Sequence, residues 1–225
     1  MARRFAGAGY PLILWNRDRS KAESVAADTG APIADSAAAA SAGADVIITS
    51  LADDDAVIDV YLSSNGVVAG ISEGAVAVDT STVDPSTIER VGEAVDAKGA
   101  LFVDCPVSGS VSTVEAGQLT IMAGGGANAI DRVEPVLGAI SKRVIRVGER
   151  GAGAATKLAV NSLLHGLNIA LSEALVLAER AGVDRETAYE VLASGAAGAP
   201  FLDYKRAAYQ DPDEATVAFS EWGAR

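Results

Sequence analysis

Residues 45–62 read DVIITSLADDDAVIDVYL, and this stretch decides the class of fold. A short apolar run ends at Thr49, and an acidic turn then leads into a segment whose apolar residues recur at helical spacing. The pattern predicts a buried strand over 45–49 and a helix over 54–62. A strand, a turn and a helix in this order form the unit from which parallel sheets are built.

The same alternation continues on both sides of this unit. Other predicted strands cover 12–15, 75–79, 101–104, 119–122 and 143–146; predicted helices cover 1–8, a segment ending near 28, 85–98 and 127–137, and the alanine run 37–40 is also expected to be helical. Short strands separated by helices of about 10–15 residues predict a largely parallel, doubly wound α/β sheet over 1–149.

The pattern changes after the Gly-Ala-Gly segment at 151–153. A helix predicted over 154–181 is too long for a crossover, and further helices are predicted over 183–192 and 201–209. Residues 150–225 are therefore predicted to form a second domain that is all-α.

Composition narrows the class of function. The chain has 225 residues and a formal net charge of −12, which argues against nucleic acid or an anionic membrane as a partner. No apolar run in the sequence approaches the roughly 20 residues needed to span a bilayer, so a cytoplasmic protein without a membrane partner is expected. With one cysteine and one histidine, neither a disulfide framework nor a metal site is expected.

A polar stripe marks the long helix predicted after residue 153. Its members recur at spacings of three or four: Lys157, Asn161, His165, Asn168 and Ser172. The remainder of the helix is mostly apolar, which predicts a buried helix whose lysine has a lowered pKa and transfers a proton. The alternative is that the stripe is the solvated face of an amphipathic helix.

A second candidate follows the strand predicted over 101–104. Residues 104–109, DCPVSG, run from that strand into a sharp loop, where the Ser108 hydroxyl and the Gly109 amide could hold a carboxylate. An ordinary turn is the alternative from composition alone.

Several stretches together resemble the β-hydroxyacid dehydrogenase family, which includes 3-hydroxyisobutyrate dehydrogenases and glyoxylate or succinic semialdehyde reductases. DCPVSG at 104–109 and AGQLTIMAGG at 116–125 resemble its substrate-binding signature, and GAGAATKLAVN at 151–161 resembles its catalytic signature. DTST at 79–82 and ITSL at 48–51 resemble its cofactor-side segments.

The resemblance implies a Rossmann-like domain that holds a nicotinamide dinucleotide, followed by a helical domain that supports homodimers or homotetramers. It implies that Lys157 transfers a proton while a hydride passes between nicotinamide and a small hydroxy acid or aldehyde acid. Ser108, Gly109 and Asn161 are implied to bind the substrate, and Leu51 and Thr82 to lie beside the cofactor.

Cofactor choice depends on the residues after the strand predicted over 12–15. An acidic residue there would bind the ribose 2′-hydroxyl of NAD, whereas this chain has Asn16 and Arg17, with Lys21 nearby. Arginine and lysine suit a 2′-phosphate, which favours NADP and leaves NAD possible. Asp18 would repel a phosphate that it faced.

The sequence departs from the family at both ends. The family's first strand and its Gly-x-Gly-x-x-Gly turn are absent before Met1. Residues 221–225 end the sequence where relatives continue. A truncated copy is therefore expected. The hypotheses are a dehydrogenase read from an incomplete frame, a non-catalytic remnant that binds substrate or a partner without turnover, and an imine reductase. Lys157 argues against the third, because imine reductases usually replace this lysine.

Overall fold

The structure, a computed structural model, describes residues 1–210 and divides into two compact units between Leu158 and Ala159. The division falls inside a helix, nine residues after the boundary predicted at 149/150, which stays a prediction. The predicted truncation at 221–225 lies outside the described residues.

The first unit contains a six-stranded mixed sheet. Its strands are β1 (Val46–Thr49), β2 (Val76–Asp79), β3 (Leu101–Asp104), β4 (Val107–Ser108), β5 (Leu119–Gly124) and β6 (Ser141–Gly148). The order is β1-β2-β3-β5-β4, with β6 paired to β5. The β1–β2, β2–β3 and β5–β6 pairs are parallel, whereas β5 runs antiparallel to β3 and β4.

The prediction of a regular strand over 12–15 is wrong. The segment makes a single parallel bridge between Leu14 and Ile33. Its hydrogen bonds run from Leu14 N–H to the Pro32 carbonyl and from Ala34 N–H to the Leu14 carbonyl. Pro32 has no N–H to donate to the Leu12 carbonyl, so the ladder does not continue toward Leu12 in this register.

Helices cover both faces of the sheet, as predicted. They are α1 (Ala2–Gly7), α2 (Arg19–Thr29), α3 (Ala37–Ser41), α4 (Asp54–Leu62), α5 (Val67–Gly70), α6 (Pro85–Asp96), α7 (Val111–Glu115) and α8 (Ala127–Leu137). Alternate residues of a strand point to opposite faces. Phe102 accordingly packs with α4 and α6 in one apolar cluster, while Val103 packs with α8 in the other.

Three helices complete the described chain: α9 (Ala152–Arg180), α10 (Arg185–Ser194) and α11 (Pro200–Gln210). In the second unit, Leu171 and Leu175 of α9 pack with Tyr189 and Leu202. The Tyr189 hydroxyl donates to the Leu202 carbonyl at 2.6 Å. The described part of this unit is therefore all-α, as predicted.

The prediction that α9 is buried is wrong. One face packs against the rest of its unit, and large apolar residues elsewhere on the helix are exposed, with Leu163 at 74% and Leu177 at 73%. In the most apolar part of this 29-residue helix, only 11% is buried. By length and composition alone α9 could cross a membrane, contrary to the expectation that no segment is long enough. One such helix is weak evidence for a membrane protein.

Candidate active site

Lys157 lies in the second turn of α9, because the helix begins at Ala152 rather than at the predicted residue 154. Its side chain is half-buried, and this burial lowers the pKa of the ammonium below the usual lysine value. The predicted direction of the shift is confirmed, with desolvation as its cause. A larger neutral fraction near neutral pH makes the amine a better proton acceptor.

The ends of three parallel strands lie side by side. Thr49 pairs in register with Asp79, and Asp79 pairs with Asp104, so the loops after β1, β2 and β3 leave the sheet at one edge. Leu51 follows β1, and Thr82 follows β2. Ligands of open α/β sheets bind at this edge.

A buried network around Asp79 holds the first two of these loops. The carboxylate accepts from the Thr49 hydroxyl at 2.6 Å and from the Ser81 N–H at 2.9 Å. The Ser81 hydroxyl in turn accepts from the Leu51 N–H at 2.9 Å. Burial raises the pKa of the Asp79 carboxyl. The network fixes the Leu51 backbone, while the neighbouring Thr82 is exposed.

The Ser108–Gly109 loop is held by a short strand and a capped helix. Ser108 ends β4, opposite Thr120 of β5, and its hydroxyl has no hydrogen-bond partner within residues 1–210. Gly109 has a φ of 142°, and a Cβ there would lie 2.8 Å from side-chain atoms of Leu119 and Thr113. Only glycine suits position 109. The Ser108 hydroxyl is available to bind a ligand.

The buried carboxylate of Asp104 was missed as a functional candidate. Its two oxygens accept from the N–H groups of Gly151 at 3.0 Å and Ala154 at 2.8 Å, which tie the end of β3 to the start of α9. The signal in the sequence was weak, because 47 residues separate Asp104 from Gly151. Next to it, burial raises the pKa of the Cys105 thiol, as fits a packed core thiol.

Asn161 lies one turn beyond Lys157 on α9, within the second unit, and is half-buried. The far part of the predicted stripe has a structural role instead. The Tyr209 hydroxyl donates to the Asn168 side-chain oxygen at 2.5 Å, and the Ser172 hydroxyl donates to the Asn168 carbonyl at 2.9 Å. The stripe therefore divides into a part near Lys157 and a part that packs its own unit.

The segment predicted to select the cofactor surrounds the start of α2. The Asn16 side-chain oxygen accepts from the Asp18 N–H, and the Asp18 carboxylate caps α2 through Ser20. The Arg19 guanidinium forms ion pairs with the carboxylates of Glu23 at 3.2 Å and Asp35 at 3.1 Å. Arg17 and Lys21 are exposed and form no ion pair with any described residue.

Comparison with known families gives the class of this protein. Residues 1–148 match the family described as the NAD binding domain of 6-phosphogluconate dehydrogenase. Residues 151–219 match the family described as NAD-binding of NADP-dependent 3-hydroxyisobutyrate dehydrogenase. The chain belongs to the β-hydroxyacid dehydrogenase family and contains a domain of the kind that binds a nicotinamide dinucleotide.

Individual relatives agree with this assignment. The chain is 35% identical over 197 residues to glyoxylate/succinic semialdehyde reductase 1 of Arabidopsis thaliana, covering 88% of this chain and 68% of the relative. It is 34% identical over 192 residues to the mitochondrial 3-hydroxyisobutyrate dehydrogenase of Rattus norvegicus, covering 85% of this chain and 57% of the relative. The chain thus spans little more than half of some curated relatives.

Solved structures share the fold. The 3-hydroxyisobutyrate dehydrogenase of Mycobacterium tuberculosis with L-serine has a TM-score of 0.80 at 30% identity, covering 89% of this chain and 67% of that one. An imine reductase from Pseudomonas sp. has a TM-score of 0.74 at 25% identity, covering 84% and 65%. The hydroxyacid dehydrogenases therefore fit the chain better than the imine reductases.

Proposed function

We propose that this protein transfers a hydride between a nicotinamide cofactor and a small 3-hydroxy acid, or reduces a small aldehyde acid such as a semialdehyde. The observation that carries the proposal is the half-buried Lys157, whose pKa is lowered by burial. The start of α9, just before Lys157, is hydrogen-bonded to the end of β3. The segment that leads to the Ser108–Gly109 loop follows the same strand end.

The residues at the sheet edge fit a dinucleotide. Leu51 and Thr82 would lie beside its nicotinamide half, and Asn16, Arg17 and Lys21 would hold the adenosine half. When bound, the cofactor supplies the hydride acceptor or donor. The fixed Leu51 backbone and the exposed positive charges of Arg17 and Lys21 are the features that support this fit.

The chain's own residues supply the proton chemistry. In its neutral form, Lys157 accepts the proton of the substrate hydroxyl during oxidation, and as an ammonium it returns the proton during reduction. Ser108 and Gly109 donate to the substrate carboxylate, and Asn161 orients the reacting oxygen or the carboxylate. Each of these donors matches an oxygen of a hydroxy acid.

The proposed activity is tested by following NADPH absorbance with a set of small acids. Glyoxylate, succinic semialdehyde and 3-hydroxyisobutyrate are chosen because they appear in the names of the relatives. We expect turnover with at least one of them and none with a cyclic imine. Turnover of the imine alone would favour the imine reductase alternative, and absence of all turnover and all NADPH binding would refute the proposal.

We propose NADP as the preferred cofactor, and Arg17 provides the test. Alanine at both Arg17 and Lys21 removes two exposed positive charges that form no ion pair among the described residues. We expect NADPH affinity, measured by fluorescence titration, to fall about tenfold, because each hydrogen bond to a charged group contributes about 1.5–3 kcal/mol and exposure reduces this. NADH affinity and the control variant Lys98→Ala should change little, and an equal loss of NADH binding would contradict the assignment.

We also propose that the protein forms a homodimer or homotetramer through α9. Leu163, Leu177 and Ile169 are more than half exposed in the second unit, and an apolar face of this size favours association. We expect light scattering to give a mass of at least two chains. Glutamate at Leu163 and Leu177 should yield monomers, whereas Val111→Glu, at an exposed site in the first unit, should not; a monomeric wild-type chain would contradict the proposal.

A further inference from the structure

Asp104 occupies an unusual position for a charged side chain. It is fully buried at the end of β3, and no lysine, arginine or histidine among residues 1–210 forms an ion pair with it. Its partners are instead two backbone N–H groups, those of Gly151 and Ala154. A buried carboxylate needs such partners, because burying a charge without them is very costly.

The two N–H groups belong to the start of α9. The first N–H groups of a helix have no partner within the helix, and the positive end of the helix dipole favours an anion there. Hydrogen bonds to a carboxylate are also stronger than those between neutral groups. Asp104 therefore attaches the first turn of α9 to the sheet from outside the helix.

The packing around this attachment leaves little freedom. A Cβ on Gly153 would lie 2.6 Å from the Asp104 carbonyl oxygen and 2.7 Å from the Met122 carbonyl oxygen. A Cβ on Gly124 would lie 2.7 Å from the Gly153 nitrogen. The backbone of α9 thus sits directly on the ends of β3 and β5, at a separation that the Asp104 bonds fix.

Two parts of the candidate active site begin next to this attachment. Lys157 lies three residues beyond Ala154, which is less than one helical turn, and the segment leading to Ser108 starts at the residue after Asp104. One carboxylate therefore joins the proton-transferring helix to the strand that carries the candidate carboxylate-binding loop.

We propose that Asp104 is a positioning residue that sets the place of Lys157 relative to the Ser108–Gly109 loop. It does so through the Gly151 and Ala154 N–H groups and touches no substrate itself. This inference rests on the proposed function for its catalytic consequence, but its structural consequence for Lys157 can be measured without turnover.

The test compares Asp104→Asn with Asp79→Asn. An asparagine keeps one accepting oxygen and turns an NH₂ group toward a backbone N–H, so one of the two bonds is lost. Asp79 is the matched control, since it is a buried aspartate at the neighbouring register position whose bonds do not reach α9. The probe is competitive acetylation by trace acetic anhydride, read by mass spectrometry at Lys157 and at the exposed Lys142 across pH.

The direction of the change identifies the role. If Asp104 holds the helix in place, Asp104→Asn should raise the midpoint for Lys157 toward that of Lys142, because the ammonium becomes better hydrated. If Asp104 acted through its charge alone, removing that charge would lower the midpoint. A lowered or unchanged midpoint, or an equal rise in Asp79→Asn, would overturn the inference.

Turnover supplies an independent readout. In an active protein, Asp104→Asn should lower kcat by about 100-fold, as expected for misplacement of a reacting group by about 1 Å, with little change in KM. An unchanged kcat would overturn the inference. A wild-type chain that neither turns over substrate nor binds NADPH refutes the proposed function, and the acetylation result then decides the inference alone. Should Asp104→Asn not fold, hydrogen exchange in the wild-type chain decides: slow exchange at the Gly151 and Ala154 amides supports the attachment, and fast exchange at both overturns it.

Discussion

Replacing Lys157 with alanine is expected to lower kcat/KM by about 10³-fold while NADPH affinity stays nearly unchanged, since general acid–base catalysis contributes about 10²–10⁴-fold. The loss should appear in kcat, because the amine acts on the reacting hydroxyl and not on the cofactor. Steady-state kinetics and fluorescence titration measure the two quantities. A parallel loss of NADPH binding would assign Lys157 to cofactor binding instead.

The pH dependence adds a second check on Lys157. Burial lowers its pKa, so the neutral amine is present at lower pH than for an ordinary lysine. Oxidation needs the neutral amine and should slow as pH falls through that pKa; reduction needs the ammonium and should slow as pH rises through it. Lys142→Ala, which removes an exposed lysine from β6, should retain the wild-type rate and both pH limbs.

Replacing Gly153 with alanine is expected to destabilise the first unit by about 1–3 kcal/mol, the usual range for overpacking. The new methyl group would lie 2.6 Å from the Asp104 carbonyl oxygen and 2.7 Å from that of Met122. Both are backbone atoms, so rotation of a side chain cannot relieve the contact. Urea denaturation followed by tryptophan fluorescence and circular dichroism measures the loss.

Gly166 provides the matched control on the same helix. An alanine Cβ there meets nothing within 4 Å, so Gly166→Ala should stabilise the helix by about 0.5–1 kcal/mol. Destabilisation of similar size in both variants would show that α9 resists any added methyl group, and the close approach at Gly153 would then have no special role.

Local pattern predicted most of the elements. The helices Asp54–Leu62 and Ala127–Leu137 and the strand Leu101–Asp104 have the predicted bounds. For the first helix the reason is visible, because Asp53 accepts from the Ala56 N–H and fixes where the helix begins. Where side-chain period and a capping residue agree, the sequence alone locates an element.

Features that depend on distant neighbours were not predictable in the same way. The direction of β5 is set by its partners β3 and β4, and nothing in LTIMAG at 119–124 encodes it. The exposure of α9 likewise depends on which surfaces pack against it. At the candidate site, the motif around Lys157 was visible in the sequence, whereas the attachment by Asp104 required the three-dimensional arrangement.

The burial of Cys105 has a practical consequence. It is the only cysteine in the chain, its side chain is fully buried, and its N–H donates to the Asp79 carbonyl at 2.6 Å. A thiol in this place is protected from alkylation and from oxidative cross-linking between copies until the end of β3 opens. The rate at which Cys105 becomes labelled therefore reports how often the edge that carries the candidate active site opens to solvent.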